Sequence, residues 1–309
     1  MVKMRRYWIR KLLALPMILL VASFLIFAAV RLLPGDPARL MAGMQADQQS
    51  VNAARTRLGL DKPFAIQYGL FLRGVLHGDL GISIRSHKPV EEEIAQRFPF
   101  TLALTSVSYL FAIAVGITSG VLAALYAGSA IDHAVMVSAI AGASIANYWL
   151  ALMAMNLFAV QLGWLPLLGA DSWKNYILPA ITLGLLPAAV IARMCRASML
   201  EILNQDYMRT ARAKGLTGAG LYIKHGLRNA LIPIVTIAGM NFGSLLGGAV
   251  ITETVFNWPG LGRLMVDAVR YRDYATIQGI TLLTVALVTL INLIVEVMIG
   301  VLDPRIRFE

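Results

Sequence analysis

The sequence predicts an all-α, polytopic membrane protein with six transmembrane helices, and three observations carry that reading. Of 309 residues, 58% are hydrophobic and only 14% charged, and the mean hydropathy of +0.69 lies outside the soluble range. Six windows hold no charged residue: 12–30, 98–131, 134–170, 175–192, 229–252 and 274–295. A spanning helix needs about 20 mostly apolar residues, so all six qualify, the 18-residue fourth window with help from its flanks. Basic residues are also partitioned by side. With the N-terminus inside, segments 1–11, 128–133, 193–228 and 303–309 are cytoplasmic and hold 14 Lys/Arg against five acids. The outer segments 31–97, 171–174 and 253–273 hold 13 against 11. Lys/Arg excess in short loops sets orientation, which favours N-in, C-in. The loop Gly128–His133 has no Lys or Arg of its own. The pI of 9.9 is thus a topology signal, and no nucleic-acid partner is expected.

The elements follow in order. The first span is read as a retained helix, because its apolar run exceeds a signal core and "RLLPGDP" follows where a cleavage site would stand. "LPGDPARL" (33–40) is a Pro/Gly turn. Residues 47–76 read as two amphipathic helices, the first closed by Gly59 and the second opened near Pro63. A Gly-rich turn and a Pro-led acidic helix then enter the second span. The outer insertion is large enough for a cap on the membrane and small for a domain with its own core. Spans two and three should pack as an antiparallel hairpin, since "GVLAALYAG" and "SAIAGASIAN" put small residues at helical spacing. Pro179, Pro187 and Pro233 predict kinks in the fourth and fifth spans. The organisation is therefore a stub and first helix (1–30), an extracytoplasmic helical insertion (31–97), a five-helix core (98–303) with a cytoplasmic loop (201–228), and a tail (304–309).

That loop interrupts the apolar pattern. From Arg209 to Arg228, five basic residues and a histidine stand among alanines and glycines with no acid. Asn204 or Asp206 offers a helix cap, "YMRTARAK" makes about two turns, and Gly215 fits the left-handed position that closes a helix. "GAGLYIKHGLRNA" predicts a second short helix. Ala211, Ala213 and Gly215 are expected on one side, with cations on the other. Two readings stay open: a basic loop that sets topology, or a small-faced helix shaped for a partner's groove.

Three further features invite a role. In "ETVFNWPGLGRL", Pro259-Gly260 and Gly262 predict a tight turn, with Phe256 and Trp258 at interface depth. This is an aromatic anchor, or an outer gate or binding-protein contact, with Glu253 within reach of Arg263 or Arg270. Glu296 is the one acid inside a span. It stands about 9 Å from the cytoplasmic end at 1.5 Å per residue, so it serves structural pairing or ion coupling. Cys195, the single cysteine, reads as inert packing. There is no phosphate loop of the G-x-x-x-x-G-K-[ST] form, so the chain is not expected to hydrolyse ATP. No His/Cys/carboxylate set has metal-ligand spacing, and nothing supports catalysis within the chain.

"DYMRTARAKGL" and "KHGLRNALIP" resemble the cytoplasmic loop of the inner-membrane permease subunits of bacterial ABC importers, in particular the branch for dipeptides, oligopeptides, glutathione and nickel. "LPGDPARL", "LGLDKPFAIQYG", "GDLGISIRSHKPVEEEIAQRFPFTLAL", "GWLPLLGADSWKNYILPAITLG", "ETVFNWPGLGRLMVDAVRYRDY" and "LDPRIR" look like the same branch, in order along nearly the whole chain. The resemblance implies a type I ABC importer transmembrane fold in the bacterial inner membrane. It also implies that Arg209, Thr210, Ala211, Arg212, Ala213, Lys214, Gly215 and Leu216 form a coupling helix. The general importer pattern has Glu-Ala-Ala before the glycine. Here those positions are Arg209, Thr210 and Ala211, so no role of that carboxylate carries over. The implied partners are a second homologous permease, two ATP-binding subunits that hold ATP and Mg, an extracytoplasmic binding protein and the lipid bilayer; the chain itself has no cofactor. Short-peptide import, glutathione included, is the expected function. The alternatives are nickel or metal-chelate import and, from another class, a secondary transporter. The last would show mid-membrane ionisable groups and internal symmetry.

Overall fold

The computed structural model of this chain describes residues 2–32, 37–43, 46–218 and 220–302. In chain order the helices are α1 (Val2–Leu32), α2 (Pro37–Ala42), α3 (Gln48–Arg57), α4 (Phe64–Leu76), α5 (Val90–Leu125), α6 (Ala130–Ser144), α7 (Asn147–Ala154), α8 (Ile177–Leu203), α9 (Asp206–Ala213), α10 (Arg228–Val255), α11 (Leu261–Tyr271) and α12 (Tyr274–Leu302). Two π-helical stretches, Met155–Gln161 and Gly220–Leu227, extend α7 and lead into α10. Among the described residues there is no strand, only an isolated bridge between Ile82 and Pro89. The turn at 33–36 and the tail 304–309 lie outside the described residues.

Four helices, α1, α5, α8 and α12, are long and apolar enough to cross a membrane, and two bent pairs complete six spans. Each charge-free window falls on one of them. The third window differs from expectation, because it is not one rod. Ile145 and Ala146 are extended, with ψ of 129° at both, and the chain turns by 103° between Ala130–Ser144 and Asn147–Gln161. The kink expected at Pro233 also moves. α10 bends by 53° between Pro233–Gly243 and Leu245–Val255, about three turns further along. Pro179 sits in the first turn of α8, where its missing N–H has no intrahelical partner to lose; Pro187 is the one inside the helix.

Among the described residues the chain forms two compact units, one from residues 2–101 with Pro259–Thr289, the other from Leu102–Trp258 with residues 290–302. In the first, Gly59 takes the left-handed conformation that closes α3, and Pro63 caps α4, as their sequence positions predict. The insertion rests on the neighbouring helices through a few aromatic and aliphatic contacts, while Phe64, Ile66, Leu70 and Leu76 of α4 stay exposed. Phe27 of α1 meets Phe64, Tyr68 and Phe71 of α4 at ring distances of 5.3–5.4 Å. Val90 and Ile94 pack with Leu261, Leu264 and Ile280.

In the second unit α8 is the central rod. Its Ile191, Cys195 and Met199 bury against Ala112 and Ala124 of α5 and Ala230 and Ile234 of α10. The small-residue seam of α5 faces α8: a Cβ on Gly120 would stand 2.5 Å from the Ala192 carbonyl oxygen. One on Gly184 would stand 2.5 Å from that of Ser108. α6 docks on α8 as well, with Gly142 against Leu185. Both arms of the predicted hairpin are thus gathered on α8. Cys195 is fully buried, its thiol 3.6 Å from the Ile117 carbonyl.

Candidate functional site

The cytoplasmic elbow begins where α8 ends. Asn204 caps the C-terminus of α8 and Gln205 stands at the N-cap of α9 without a side-chain hydrogen bond. The expected cap by Asn204 or Asp206 is therefore corrected. Asp206 is instead the first helical residue, where a carboxylate suits the positive end of the helix dipole. Two exposed links hold this turn: Thr210 Oγ1 donates to the Asp206 carbonyl at 3.0 Å, and Arg209 pairs with Asp206 at 3.7 Å.

α9 closes as the glycine predicts. Gly215 has φ of +83°, its N–H donates to the Arg212 carbonyl at 2.9 Å, and the Leu216 N–H donates to the Ala211 carbonyl at 3.2 Å. These two bonds form a Schellman closure, which needs a left-handed residue after the cap. A Cβ on Gly215 would meet nothing within 4 Å, so glycine is required there by conformation and not by space.

The expected small-residue face does not exist as one face. Ala211 and Ala213 stand two positions apart, about 200° around the helix. Ala211 is buried with Met208 and Leu221, against Ile202, Leu203 and Tyr222. Ala213, Arg209, Thr210, Arg212, Lys214, Gly215 and Leu216 are exposed. Ala211 is thus part of the anchor that fixes α9 to its own chain, and the surface offered outward carries three cations, Arg209, Arg212 and Lys214.

Sequence reasoning missed a second fastening. The Asn229 side-chain amide donates to the Tyr207 hydroxyl at 2.9 Å and to the His225 carbonyl at 3.1 Å. Tyr207 and Asn229 therefore tie α9 to the foot of α10. Asn229 opens the fifth charge-free window, and a polar side chain there was the available signal. The predicted second short helix is π-helical from Gly220 to Leu227 and continuous with α10; Ala219 lies outside the described residues.

The outer turn is also corrected. Left-handed φ falls on Asn257, at +54°, and not on Gly260 or Gly262. Gly260 is the extended N-cap of α11, and Gly262 is the second residue of that helix. The Trp258 N–H donates to the Glu253 carbonyl at 2.8 Å, so Asn257 closes α10 as Gly215 closes α9. Glu253, Phe256 and Trp258 are 0%, 2% and 0% exposed, too buried for interface anchors or for direct contact with a binding protein. Trp258 packs edge-on against Tyr176 at 4.5 Å, beside Leu104 and Tyr109. Pro259 is half-buried, and Gly260 and Gly262 are buried. Glu296 is half-buried on α12 and does not stand alone.

α11 belongs to the outer polar surface of the first unit. There Arg85 donates to Asp267 at 2.7 Å, which raises the pKa of the guanidinium. Ser83 donates to the buried Asp273 carboxylate at 2.5 Å. These links tie α11 and the start of α12 to the loop before α5.

Residues 116–308 match the family described as binding-protein-dependent transport system inner membrane component, and residues 4–105 match its N-terminal membrane-component family. The chain is 48% identical over 306 residues to the glutathione transport system permease protein GsiC of Escherichia coli O6:H1 (strain CFT073), covering 99% of this chain and 100% of that protein. It is 47% identical, with the same coverage, to GsiC of Escherichia coli (strain K12). For GsiC of Salmonella choleraesuis (strain SC-B67) the identity is 48%, again over 99% and 100%. Among solved structures, an inward-facing MetNI methionine ABC transporter matches with a TM-score of 0.58 at 23% identity, over 68% of this chain and 96% of that one. An amino acid ABC transporter with histidines matches at 0.51 and 17%, over 70% and 94%. These two share the fold. Helices, spans and end-to-end similarity agree: the chain belongs to the family of binding-protein-dependent transport system inner membrane components.

Proposed function

We propose that this permease subunit lines the path by which glutathione or a similarly short peptide enters the cell, in an assembly driven by ATP. The observation that carries this reading is the similarity to glutathione permeases over 306 residues, 99% of this chain and 100% of the relative. In the assembly, a second and similar permease completes the path, two ATP-hydrolysing subunits hold ATP and Mg, and an extracytoplasmic binding protein delivers the peptide.

The elbow is the proposed coupling element. Its outward surface, from Arg209 to Leu216, sits on a base fixed by Met208, Ala211 and Leu221. An ATPase can drive the spans through it only by binding the elbow differently in its two states. The cations Arg209, Arg212 and Lys214 suit an acidic groove. Ala211 contributes from below, as a positioning residue. Glu253, Phe256 and Trp258 contribute to an outer gate in the same way, by holding the turn that Pro259, Gly260 and Gly262 continue. Glu296 serves structural pairing.

The test is reconstitution with the cognate ATPases, second permease and binding protein in proteoliposomes. Uptake of labelled glutathione should require both ATP and the binding protein. Uptake driven by an ion gradient without ATP would point to a secondary transporter and sink the proposal. Uptake of a nickel chelate with none of glutathione or dipeptides would overturn the substrate assignment.

A further inference from the structure

In the first unit, a cavity of about 110 Å³ opens between the outer end of α1, the turn after α3, the chain around Ile82–Ile84 and the start of α12. Leu58, Leu60, Ile82 and Ile84 supply apolar walls, and Arg31, Tyr274 and Gln278 supply the polar part of the lining. No residue lining it is acidic. Arg31 Nη1, the Tyr274 hydroxyl and Gln278 Nε2 are all buried and have no hydrogen-bond partner. Tyr274 is 9% and Gln278 6% exposed.

Arg31 is not a loose surface cation. Its Nε donates to Gln67 Oε1 at 2.8 Å, and its guanidinium carbon stands 3.5 Å from the centre of the Phe27 ring. Those contacts fix the side chain and leave the buried Nη1 without a partner beside the cavity. A guanidinium and an amide nitrogen can only donate, and a tyrosine hydroxyl can donate as well. Buried donors without acceptors are costly, most of all when one is charged. A compact anion with several acceptor oxygens satisfies all three at once.

We propose that Arg31, Tyr274 and Gln278 form an oxyanion-binding slot for a carboxylate or phosphate joined to an apolar body. The guanidinium meets the oxygens, as is usual for such groups, and the four aliphatic walls take the adjoining carbons. A cavity this small holds one end group and not a whole tripeptide. With α1 running from inside to outside, Arg31 stands at the outer membrane interface. Two sources therefore share the chemistry: a dissolved peptide carboxylate, and a phospholipid headgroup of the outer leaflet.

The experiment uses the full chain in an uncharged maltoside detergent. Its thermal midpoint, read by tryptophan fluorescence, is followed while glycyl-leucine, glycyl-leucine amide or sodium chloride at matched ionic strength is added. Retention of phosphatidylglycerol is read by native mass spectrometry. A saturable rise with the free acid and not the amide identifies the dissolved source; retained phosphatidylglycerol identifies the lipid source. Either supports the slot, provided that Arg31→Gln weakens the effect at least tenfold and Tyr274→Phe weakens it several-fold. Tyr274→Phe keeps the ring, so it alone decides if Arg31→Gln does not fold. The proposal is overturned if neither probe acts on the wild type, if chloride reproduces the rise, or if Tyr274→Phe binds as the wild type does.

Discussion

Arg196 of α8 and Asp132 at the start of α6 form a two-point ion pair, Nε to Oδ1 at 2.5 Å and Nη2 to Oδ2 at 2.7 Å. Asp132 also accepts the Gly128 N–H at 2.9 Å, and its side chain is 3% exposed. The loop Gly128–His133, which has no Lys or Arg of its own, thus borrows a cation from the neighbouring span. Arg196→Lys keeps the charge and loses the fork, so it should lower the thermal midpoint by several degrees. Asp132→Asn should do the same. The double variant Asp132→Asn/Arg196→Gln should fall little further than the worse single one. Additive falls, measured in detergent, would show that the two residues act separately.

Ala211 and Ala213 should separate stability from coupling. Ala211→Trp overfills the cluster with Met208 and Leu221 and should cost about 1–3 kcal/mol. Ala213→Trp points outward and should leave stability unchanged while weakening co-purification of the ATPase. Equal ATPase binding by wild type and Ala213→Trp would remove Ala213 from the docking surface.

Gly215→Val should cost about 1–2 kcal/mol, because a branched side chain opposes the left-handed conformation. Gly215→Asn should cost less, since asparagine tolerates that region. Expression and membrane insertion should stay normal for both. Substrate-stimulated ATP hydrolysis should fall for valine and persist for asparagine. Normal transport by Gly215→Val would reduce the elbow to a loop that only sets topology.

Gly120→Leu should separate α5 from α8, because even its Cβ collides with the Ala192 backbone oxygen and the Cys195 side chain. The expected loss is about 1–3 kcal/mol or more, read as a lower midpoint in size-exclusion thermal screening. Gly247→Leu is the control, since a Cβ there meets nothing within 4 Å. Similar losses at both positions would mean that Gly120 is no seam.

Cysteine labelling from outside intact cells, with Cys195 replaced, tests the sidedness. Cysteines placed at Arg57 and Lys174 should react; those at Lys3 and Arg212 should not. Reaction at Arg212 would invert the scheme.

The spans and some helix ends were legible because each leaves a local mark, whereas the N-cap of α9 at Gln205 and the closure of α10 at Asn257 were not. The absence of charge marks six windows, Gly59 and Gly215 mark helix ends, and Pro63 marks a start. The break at Ile145–Ala146 was not legible, because neither proline nor glycine stands at it. The placing of Ala211 was open to arithmetic alone, since two residues separated by two positions cannot share a helix face. Burial of Trp258 depends on Tyr176, Leu104 and Tyr109, far away in sequence, and no local pattern announces it. Tyr274 and Gln278, the two donors beside Arg31, likewise stand more than 200 residues away from it in the sequence.

The break after Ser144 has a consequence for the surrounding lipid. α6 has 15 residues, about 22 Å of helix at 1.5 Å per residue, against a hydrocarbon thickness of about 30 Å. The second arm turns away by 103° and adds almost nothing along the first arm's axis. Where α6 meets lipid, the acyl chains are expected to shorten or tilt, at a cost of fractions of a kcal/mol per Å of mismatch. Tyr148 and Trp149 are both exposed at the start of the second arm, and amphipathic rings of this kind favour headgroup depth. Transport rate should then respond to acyl-chain length in the host bilayer, with an optimum on the thin side.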